Sequence, residues 1–264
     1  MLRRYSIQSL YPLALAEGEG MGTAYEYYAK RLALGRWMKG HPRPASILVA
    51  GLPEKYGASL DFLLLAGELG AAITVVDDRL AALTRLNEAL VALGGGPLPL
   101  AQPEICALMD LPRLAALDRR FDLAVSSEVL QRLSPGDRVI YVERLRNRAD
   151  ALALFAPNAD NPAHTGRSGL AGLHLDELRG LVGTTPDGQP RSLTRGRLSI
   201  TGYIDMPPFP PGITRSDAQR EQATQGALEG GVMSGLRVYA HGERFLPGVL
   251  RRRQSHIVYA LTGG

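Results

Sequence analysis

The segment Ala45–Arg79 constrains the fold more than any other part of the chain. Its sequence is ASILVAGLPEKYGASLDFLLLAGELGAAITVVDDR. It contains an apolar run at Ile47–Ala50, then a helical pattern of apolar residues at Ser59–Leu69, and then a β-branched run at Ile73–Val76. Asp77 follows the second run directly. We therefore predict a strand–loop–helix–strand unit with an acid at the tip of its second strand. In open α/β sheets, nucleotide ligands bind at such strand tips.

Strand and helix patterns alternate along the rest of the chain. Apolar runs predict further strands at 98–100 or 105–108, and at 121–127, 150–156, 198–204 and 256–261. Helical spacing predicts helices at 80–93, 137–146, 173–182 and 216–242, with another helix beginning at Glu128. Loops are predicted at 158–172 and at the proline-rich Met206–Gly212. For the proline-rich loop three roles stay open: a wall of an acceptor pocket, a cover over a sheet edge, or a subunit contact. The alternation favours a mostly parallel sheet with helices on both faces.

Residues 1–44 are predicted to form a helical extension in front of a main domain at 45–264. Glycines at 18, 20 and 22 indicate a flexible lead-in, and Thr23 is a candidate cap for a helix from Ala24 to Met38. The aromatic residues of that helix are expected to pack it onto the main domain. His41–Pro44 is read as the linker between the two parts.

Composition argues against several classes of protein. The chain has 264 residues, of which 45% are hydrophobic, so it can bury a large core and is not disordered. Its net charge of +4 comes from dispersed arginines, with one local cluster at Arg251–Arg253. A solvated basic surface is therefore favoured over nucleic-acid binding. The single cysteine, Cys106, allows no disulfide framework within the chain. Because no apolar run reaches the roughly 18 residues that span a bilayer, a cytoplasmic protein without membrane contact is expected.

The order of these signals resembles the class I S-adenosylmethionine-dependent methyltransferases. The resemblance rests on the glycine loop at Gly51, on Asp77 and Asp110 after successive strands, and on FDLAVSSEVLQRL at 121–133. That last segment is similar to the fourth-strand motif of the family and is the most specific part. A strand ending in Pro-Asn and a final strand HIVYAL complete the pattern. The resemblance implies a Rossmann-like α/β three-layer sandwich, with a mostly parallel seven-stranded sheet whose antiparallel last strand lies between the fifth and sixth.

The resemblance also implies where S-adenosyl-L-methionine, the cofactor, would bind. A glycine lets the backbone approach the cofactor, and the next helix offers N–H groups to the methionine carboxylate. An acid after the second strand binds the ribose hydroxyls, and an acid after the third strand binds the adenine amino group. The residues that these roles assign to cofactor binding are Gly51, Gly57, Asp77, Asp110, Leu111, Ser126 and Ser127.

The first loop departs from the family pattern, which is commonly acid-x-Gly-x-Gly-x-Gly. Val49 stands at the acid position, and Pro53 and Lys55 replace the next two glycines, so that Gly57 would serve as the last glycine of a longer loop. Arg132 stands where the fourth-strand motif often has histidine. A plain nicotinamide dehydrogenase is disfavoured, because Gly-x-Gly-x-x-Gly is absent after the first strand.

Methyl transfer from a sulfonium needs alignment of the reactants more than acid–base groups. A base helps only if the acceptor must lose a proton. The catalytic residue is not fixed by the sequence, and the candidates are His164 in the loop after the fifth strand and Glu128 after the fourth. His164 is alternatively a loop histidine that caps backbone, and Glu128 a first-turn glutamate that stabilises its helix. No metal site is expected, because the spacing of His164, Asp160, His174 and Asp176 fits no ligand motif.

Three functions follow from the sequence. The first is an S-adenosylmethionine-dependent methyltransferase with a small-molecule acceptor. The second is an inactive methyltransferase-like protein that serves as a binding or partner subunit, motivated by Val49 and Pro53 in the first loop. The third, nucleic-acid modification, rests only on basic charge. A homo-oligomer and a partner subunit both stay open.

Overall fold

The computed structural model describes residues 5–54, 57–94, 96–115, 117–169, 171–184, 199–206 and 227–263. Within these ranges seven strands form one sheet. Their bounds are β1 Ser46–Ala50, β2 Ala72–Asp77, β3 Glu104–Ala107, β4 Phe121–Ser127, β5 Ala149–Pro157, β6 Ile200–Ile204 and β7 Ile257–Thr262. The third strand thus forms in the second of the two segments that the sequence left open.

The strand order is β3-β2-β1-β4-β5-β7-β6. The β1–β2, β1–β4, β2–β3 and β4–β5 pairs are parallel, whereas β7 is antiparallel to both of its neighbours. The last strand therefore lies between the fifth and the sixth, and the predicted sheet is confirmed. The carboxyl ends of β1, β2, β3 and β4 all meet at one edge of the sheet, because parallel neighbours run in the same direction.

Nine α-helices are described in the same ranges: α1 Ile7–Ala16, α2 Met21–Trp37, α3 Leu60–Leu69, α4 Leu80–Ala92, α5 Pro135–Arg148, α6 Pro162–Ser168, α7 Leu175–Gly183, α8 Ala227–Gly242 and α9 Gly248–Gln254. Helices cover both faces of the sheet. Because the side chains of a strand point alternately to the two faces, successive residues of β1 belong to two different cores. Ile47 and Val49 pack with α1, α2, α3, α4 and α8 in one core. Leu48 and Ala50 pack with α5 and α7 in the other.

The N-terminal segment is more ordered than the sequence indicates. A helix, α1, lies ahead of the predicted one, capped by Ser6, whose side chain accepts the N–H of Ser9. The following helix begins at Met21 after Gly20, so Thr23 lies inside it and is not its cap. Tyr11 and Tyr25 are fully buried in the same core as β1 and β5. The packing of the aromatic residues is confirmed, while the domain boundary at residue 44 stays a prediction.

Three predictions around the later strands are wrong. No α-helix begins at Glu128, which has a left-handed φ of 54° and is followed only by a 3-10 turn at Leu130–Arg132. The next helix begins at Pro135 rather than residue 137, because Ser134 caps it and proline suits its first turn. Helix α6 lies inside the predicted loop 158–172, started by Asn161 as cap and Pro162. The loop from Pro207 to Gly212 and helix residues 216–226 lie outside the described residues.

Candidate functional site

The turn after β1 is closely packed around Gly51. Gly51 has a left-handed φ of +76°, and a Cβ at this position would stand 2.7 Å from Val129 Cγ2 and 2.9 Å from Leu111 Cδ2. Its N–H donates to the carbonyl of Val76 at 2.7 Å. Only glycine fits this turn without displacing its neighbours. Leu111 is fully buried against the turn.

Asp77, at the end of β2, is fully buried beside this turn. Its Oδ2 accepts the N–H of Leu52 at 2.7 Å and Arg79 Nη2 at 2.9 Å, and it lies 3.4 Å from Arg132 Nη2. Its Oδ1 accepts the backbone N–H and the Nε–H of Arg79, at 2.8 and 2.9 Å. Although burial alone would raise the pKa of this carboxyl, the bonds from Arg79 and Leu52 and the charge of Arg132 hold the pKa below its usual value.

The two arginines tie the strand tip to the first loop. Arg79 Nη2 also donates to the carbonyl of Leu52 at 2.7 Å, and Arg132 Nη1 donates to Asp78 Oδ1 at 3.1 Å. The Nε of Arg132 is buried and has no hydrogen-bond partner among the described residues. The site thus contains one guanidinium N–H that is ready to meet an acceptor.

The end of β3 carries an acid and apolar side chains. Asp110 Oδ1 accepts the backbone N–H of Arg113 at 3.2 Å, and its Oδ2 pairs with the Arg113 guanidinium. Two large apolar side chains follow β2 and β3 in exposed positions, Leu80 at 71% and Met109 at 98% exposure. The backbone of Leu108 bonds to Asp77, which joins the ends of the two strands. An acid flanked by exposed apolar groups has the chemistry of a surface for a planar base.

Gly57 meets a carboxylate from the N-terminal segment. Its φ is +86°, and a Cβ at this position would stand 2.9 Å from Glu17 Oε2. Glu17 Oε1 accepts the N–H of Leu60 at 2.8 Å, at the start of α3, and its Oε2 accepts the hydroxyl of Tyr27. Burial raises the pKa of Glu17 to about 7 despite these two bonds. Lys55 in the same loop lies outside the described residues.

The two serines at the end of β4 have different partners. Ser126 is buried, and its Oγ lies 2.9 Å from the hydroxyl of Tyr141, which donates to the carbonyl of Ala50 at 2.5 Å. Ser127 is also buried, and its Oγ accepts a hydrogen bond from Lys30 Nζ at 2.8 Å. The end of β4 is therefore bonded to β1 on one side and to helix α2 on the other.

Lys30 is a buried ammonium from helix α2. It pairs with Glu26 and lies over three aromatic rings, 5.9 Å from the centroid of Tyr27, 5.7 Å from that of Phe62 and 5.6 Å from that of Phe155. Burial alone would lower the pKa of Lys30, but the negative charges of Glu26 and other carboxylates outweigh it and raise the pKa. The ammonium therefore stays charged.

Glu128 follows the end of β4 in a strained left-handed conformation. Its N–H donates to the carbonyl of Phe155 at 3.0 Å, and its own carbonyl accepts the side-chain amide of Gln131 at 2.7 Å. The carboxylate accepts no hydrogen bond from any described residue. Burial, and then the negative charge of Glu26, raise the pKa of Glu128 to about 8, although Lys30 acts in the opposite direction.

Asp205, just after β6, is a buried carboxylate that pairs with His256. It is 3% exposed, and its Oδ2 lies 3.1 Å from His256 Nδ1, whereas its Oδ1 is buried and has no hydrogen-bond partner within the part of the chain that the structure describes. The ring of His256 stacks on His164 with centroids 4.0 Å apart. Burial and the neighbouring His256 lower the pKa of His164 to about 3, so His164 is neutral. Asp205 is also among the charges that raise the pKa of Glu128.

The residues assigned from the sequence therefore fall into two groups at one sheet edge. Gly51, Asp77 and Leu111 are joined by direct contacts, and Asp110 is close by along the chain. In the second, polar group Ser127 is bonded to Lys30, Glu128 follows Ser127 directly along the chain, and His164 stacks on His256, which pairs with Asp205. Gly57 lies beside Glu17, and Ser126 beside Tyr141. Cofactor binding by these residues stays a prediction.

Several residues of the site carry no signal in the sequence. The residues missed are Glu17, Glu26, Lys30, Arg79 and Asp205; Arg132 was noted only as the residue that replaces a histidine. Lys30 and Asp205 are 175 positions apart and meet only in the fold. Glu26, the one acid of α2, stands among aromatic residues whose pattern indicates packing alone. Arg79 is the one that could have been found, since it lies two residues after Asp77.

Among the described residues no group of three or more His, Cys, Asp and Glu side chains is arranged to hold a metal ion. None of the helices described has the length and apolar character to cross a membrane.

Comparison with solved structures identifies the fold. The N-methyltransferase NodS from Bradyrhizobium japonicum, in complex with S-adenosyl-L-homocysteine, matches with a TM-score of 0.50 and 12% identity, covering 91% of this chain and 87% of that one. A protein described as a putative sarcosine dimethylglycine methyltransferase from Galdieria sulphuraria matches with a TM-score of 0.49 and 13% identity, covering 94% of this chain and 88% of that one. Magnesium protoporphyrin IX methyltransferase from Synechocystis matches with a TM-score of 0.48 and 14% identity, covering 90% of this chain and 83% of that one. No protein-family model and no curated protein matches the chain.

The fold is that of the class I S-adenosylmethionine-dependent methyltransferases. The sheet order, the antiparallel seventh strand and the match to NodS all agree with it. At 12% identity the likeness defines the fold alone. The chemistry of the site must therefore be argued from this chain's own residues.

The residues around Asp77 have the chemistry to hold the adenosyl part of the cofactor. A buried carboxylate suits the ribose hydroxyls, and Asp110 suits the adenine amino group. The Nε–H of Arg132, to which no described residue is bonded, is a spare donor. The fit has one condition: both oxygens of Asp77 already accept bonds from Arg79, so a ribose must displace that guanidinium. The Arg79 side chain is 27% exposed and has solvent to turn into.

Proposed function

We propose that this protein is an S-adenosylmethionine-dependent methyltransferase that acts on a small-molecule acceptor. The single observation that carries the proposal is the buried Asp77 carboxylate at the end of β2, beside a left-handed glycine turn, in a sheet of methyltransferase topology. A carboxylate in that position accepts both ribose hydroxyl protons. The cofactor supplies an activated methyl group on a sulfonium.

The residues of this chain would divide the work. Asp77 and Asp110 hold the adenosyl group, and the turn at Gly51 lets the backbone approach it closely. Glu128, after β4, and His164, in α6 after β5, are the two candidates for taking a proton from an acceptor. His164 carries no extra proton at neutral pH, but its pKa of about 3 makes it a weak base. Glu128, with its pKa raised to about 8, is the stronger base once it has lost its own proton. Helix α2 reaches the same edge, where Lys30 Nζ donates to Ser127 Oγ, and this packing helps to keep water from the site.

Calorimetric titration with S-adenosylhomocysteine tests the proposal. We expect the wild-type protein to bind it and Asp77→Asn to bind about tenfold more weakly or worse, a difference of about 1.4 kcal/mol. Asp118→Asn, which changes an exposed carboxylate with 99% exposure, is the control and should bind as wild type does. Absence of binding to wild type, or equal binding by Asp77→Asn, would reject the proposal.

The second function is a methyltransferase-like protein that does not catalyse and serves as a binding or partner subunit. The specific observation in its favour is the occupation of Asp77 by Arg79, together with the Glu17 carboxylate at the start of α3. These are the places that the methyltransferase proposal gives to the ribose and to the methionine carboxylate. If S-adenosylhomocysteine does not bind but the protein purifies in a defined complex with another chain, this second function is supported.

A further inference from the structure

We propose that Glu17, at the end of α1, occupies the place of a ligand carboxylate at the start of α3, so that the nucleoside site admits adenosyl ligands without a carboxylate more readily than those with one. The inference deepens the proposed function and rests on it only for the nucleoside site around Asp77. It makes Glu17 the residue that decides which end group of an adenosyl ligand this site accepts.

Contacts along the first loop join Glu17 to the nucleoside site. At the beginning of the loop, the N–H of Leu52 donates to Asp77 Oδ2 at 2.7 Å. At its end, a Cβ on Gly57 would stand 2.9 Å from Glu17 Oε2. The same Cβ would stand 3.6 Å from Cγ of Pro53, the residue after Leu52. The two ends of the loop therefore touch, and the Glu17 carboxyl group lies against the loop that is bonded to Asp77.

Glu17 already uses the hydrogen-bond donor that a ligand carboxylate would need. Helix α3 begins at Leu60, and the side chain of Ser59 before it makes no capping hydrogen bond. The N–H of Leu60 donates instead to Glu17 Oε1 at 2.8 Å, and the hydroxyl of Tyr27 donates to Oε2. A carboxyl oxygen accepts the Leu60 N–H whether or not the group carries a proton. A ligand carboxylate must therefore displace Glu17 to reach this donor.

A second acid stands at the same helix start. Asp61 follows Leu60 in the first turn of α3 and is 2% exposed. Burial raises the pKa of Glu17, and the neighbouring charge of Asp61 adds to that rise. A ligand carboxylate would thus approach two acidic side chains, and like charges repel at this distance from bulk water. A neutral end group meets no such repulsion.

Two kinds of adenosyl ligand are distinguished by this arrangement. S-adenosylhomocysteine carries an amino-acid carboxylate, so it has to break the bonds of Glu17 to Leu60 and Tyr27 before it gains its own. 5′-Methylthioadenosine has the same adenosine part and an uncharged methylthio group, so it binds while Glu17 stays in place. Both ligands must move Arg79 away from Asp77, and that loss is common to them.

Isothermal titration with 5′-methylthioadenosine and S-adenosylhomocysteine tests the inference. Wild-type protein should bind 5′-methylthioadenosine about threefold or more tightly than S-adenosylhomocysteine. Glu17→Ala should bind S-adenosylhomocysteine about fivefold or more tightly than wild type does, with its affinity for 5′-methylthioadenosine unchanged within about twofold. Glu17→Gln removes the charge but keeps an oxygen for the Leu60 N–H, so a smaller gain is expected. Glu88→Ala, on the exposed side of α4, is the matched control and should bind both as wild type does.

The ratio of the two affinities separates ligand selection from helix capping. Glu17 also caps α3, and loss of a cap alone would weaken both ligands together. If Glu17→Ala no longer binds 5′-methylthioadenosine, Glu17→Gln decides in its place, because it keeps the capping oxygen. An unchanged ratio in the deciding variant would overturn the inference, and so would tighter binding of S-adenosylhomocysteine than of 5′-methylthioadenosine by wild type.

The same titrations keep the two proposals apart. If wild type binds S-adenosylhomocysteine, Asp77→Asn weakens it and the Glu17 variants leave the ratio unchanged, the methyltransferase proposal stands and this inference fails. If wild type binds only 5′-methylthioadenosine and Glu17→Ala gains S-adenosylhomocysteine, the inference stands and the methyltransferase proposal fails. Absence of binding of both ligands to wild type and to every variant rejects both.

Discussion

At the scale of single residues, Arg79 and Asp77 decide how open the first half of the site is. The guanidinium of Arg79 donates to both oxygens of Asp77 and also to the carbonyl of Leu52. Each of these bonds involves a charged group and is stronger than a neutral hydrogen bond. A ribose that binds Asp77 must replace them, so part of its binding free energy is lost in moving Arg79.

We therefore predict that Arg79→Ala binds S-adenosylhomocysteine more tightly than the wild-type protein, by about three- to tenfold, or roughly 1 kcal/mol. The substitution frees the oxygens of Asp77 while Leu52 N–H and Arg132 still stabilise its charge. Isothermal titration measures the change. Arg120→Ala removes an arginine of the opposite sheet edge, paired with Asp150, and should leave the affinity unaltered. A weaker affinity in Arg79→Ala would mean that Arg79 itself contacts the ligand.

At the scale of elements, helix α3 is fixed by a close crossing with the segment before β3. A Cβ on Gly67 would stand 1.7 Å from the carbonyl oxygen of Pro99 and 2.9 Å from the N of Ala101. The N–H of Ala101 donates to the carbonyl of Leu63 in the same helix at 3.1 Å. The segment thus passes directly over the helix at Gly67, and backbone rather than a flexible side chain stands in the way of a methyl group.

Gly67→Ala should accordingly destabilise the protein by about 2 kcal/mol, because the extra methyl forces two backbone segments apart. The comparison is Gly180→Ala in α7, where a Cβ would meet nothing within 4 Å. There the helix preference of alanine should stabilise the protein by about 0.5–1 kcal/mol. Urea unfolding of both variants gives the two signs. Equal effects at the two positions would show that the crossing at Gly67 yields easily.

At the scale of the whole molecule, buried carboxyl groups link stability to pH. Burial raises the pKa of Glu17 to about 7, that of Asp61 to about 6 and that of Glu128 to about 8. In the folded state each of these groups holds its proton at a pH where the unfolded chain has lost it. The stability that they contribute is full below the unfolded pKa, about 4.5 for the two glutamates and about 3.8 for Asp61, and is lost as the pH rises through the folded pKa.

Unfolding free energy should therefore fall between pH 5 and pH 8 more steeply for wild type than for Glu128→Gln. The difference in slope should be on the order of 1 kcal/mol per pH unit or less, since partial exposure of the side chain moderates it. Denaturant titrations of both proteins at a series of pH values measure it. His164, with its pKa lowered to about 3, acts in the opposite sense below pH 6.5, but it is common to both proteins. Identical pH profiles would contradict the placement of Glu128.

The sequence by itself determined the sheet. The apolar runs at 47–50, 73–76, 121–127 and 150–156 are strong local signals, because a strand buried on both faces must be apolar throughout. The position of Asp77 followed from the same pattern, since an acid ends a buried strand. Its partners did not follow, because a guanidinium reaches across space to whatever carboxylate the fold presents.

Only the tertiary structure decided the second half of the site. Lys30 and Glu26 come from a helix whose aromatic pattern indicates packing. Glu128 lies in a turn that the sequence predicts to be a helix, and Asp205 follows a strand far along the chain. No local spacing relates them, and they meet because parallel strands deliver their carboxyl ends to one edge while α2 is packed across it. Strand formation depends on the burial of neighbouring residues, so it can be predicted from the local sequence. A buried cluster of opposite charges depends on distances that exist only after the sheet has formed.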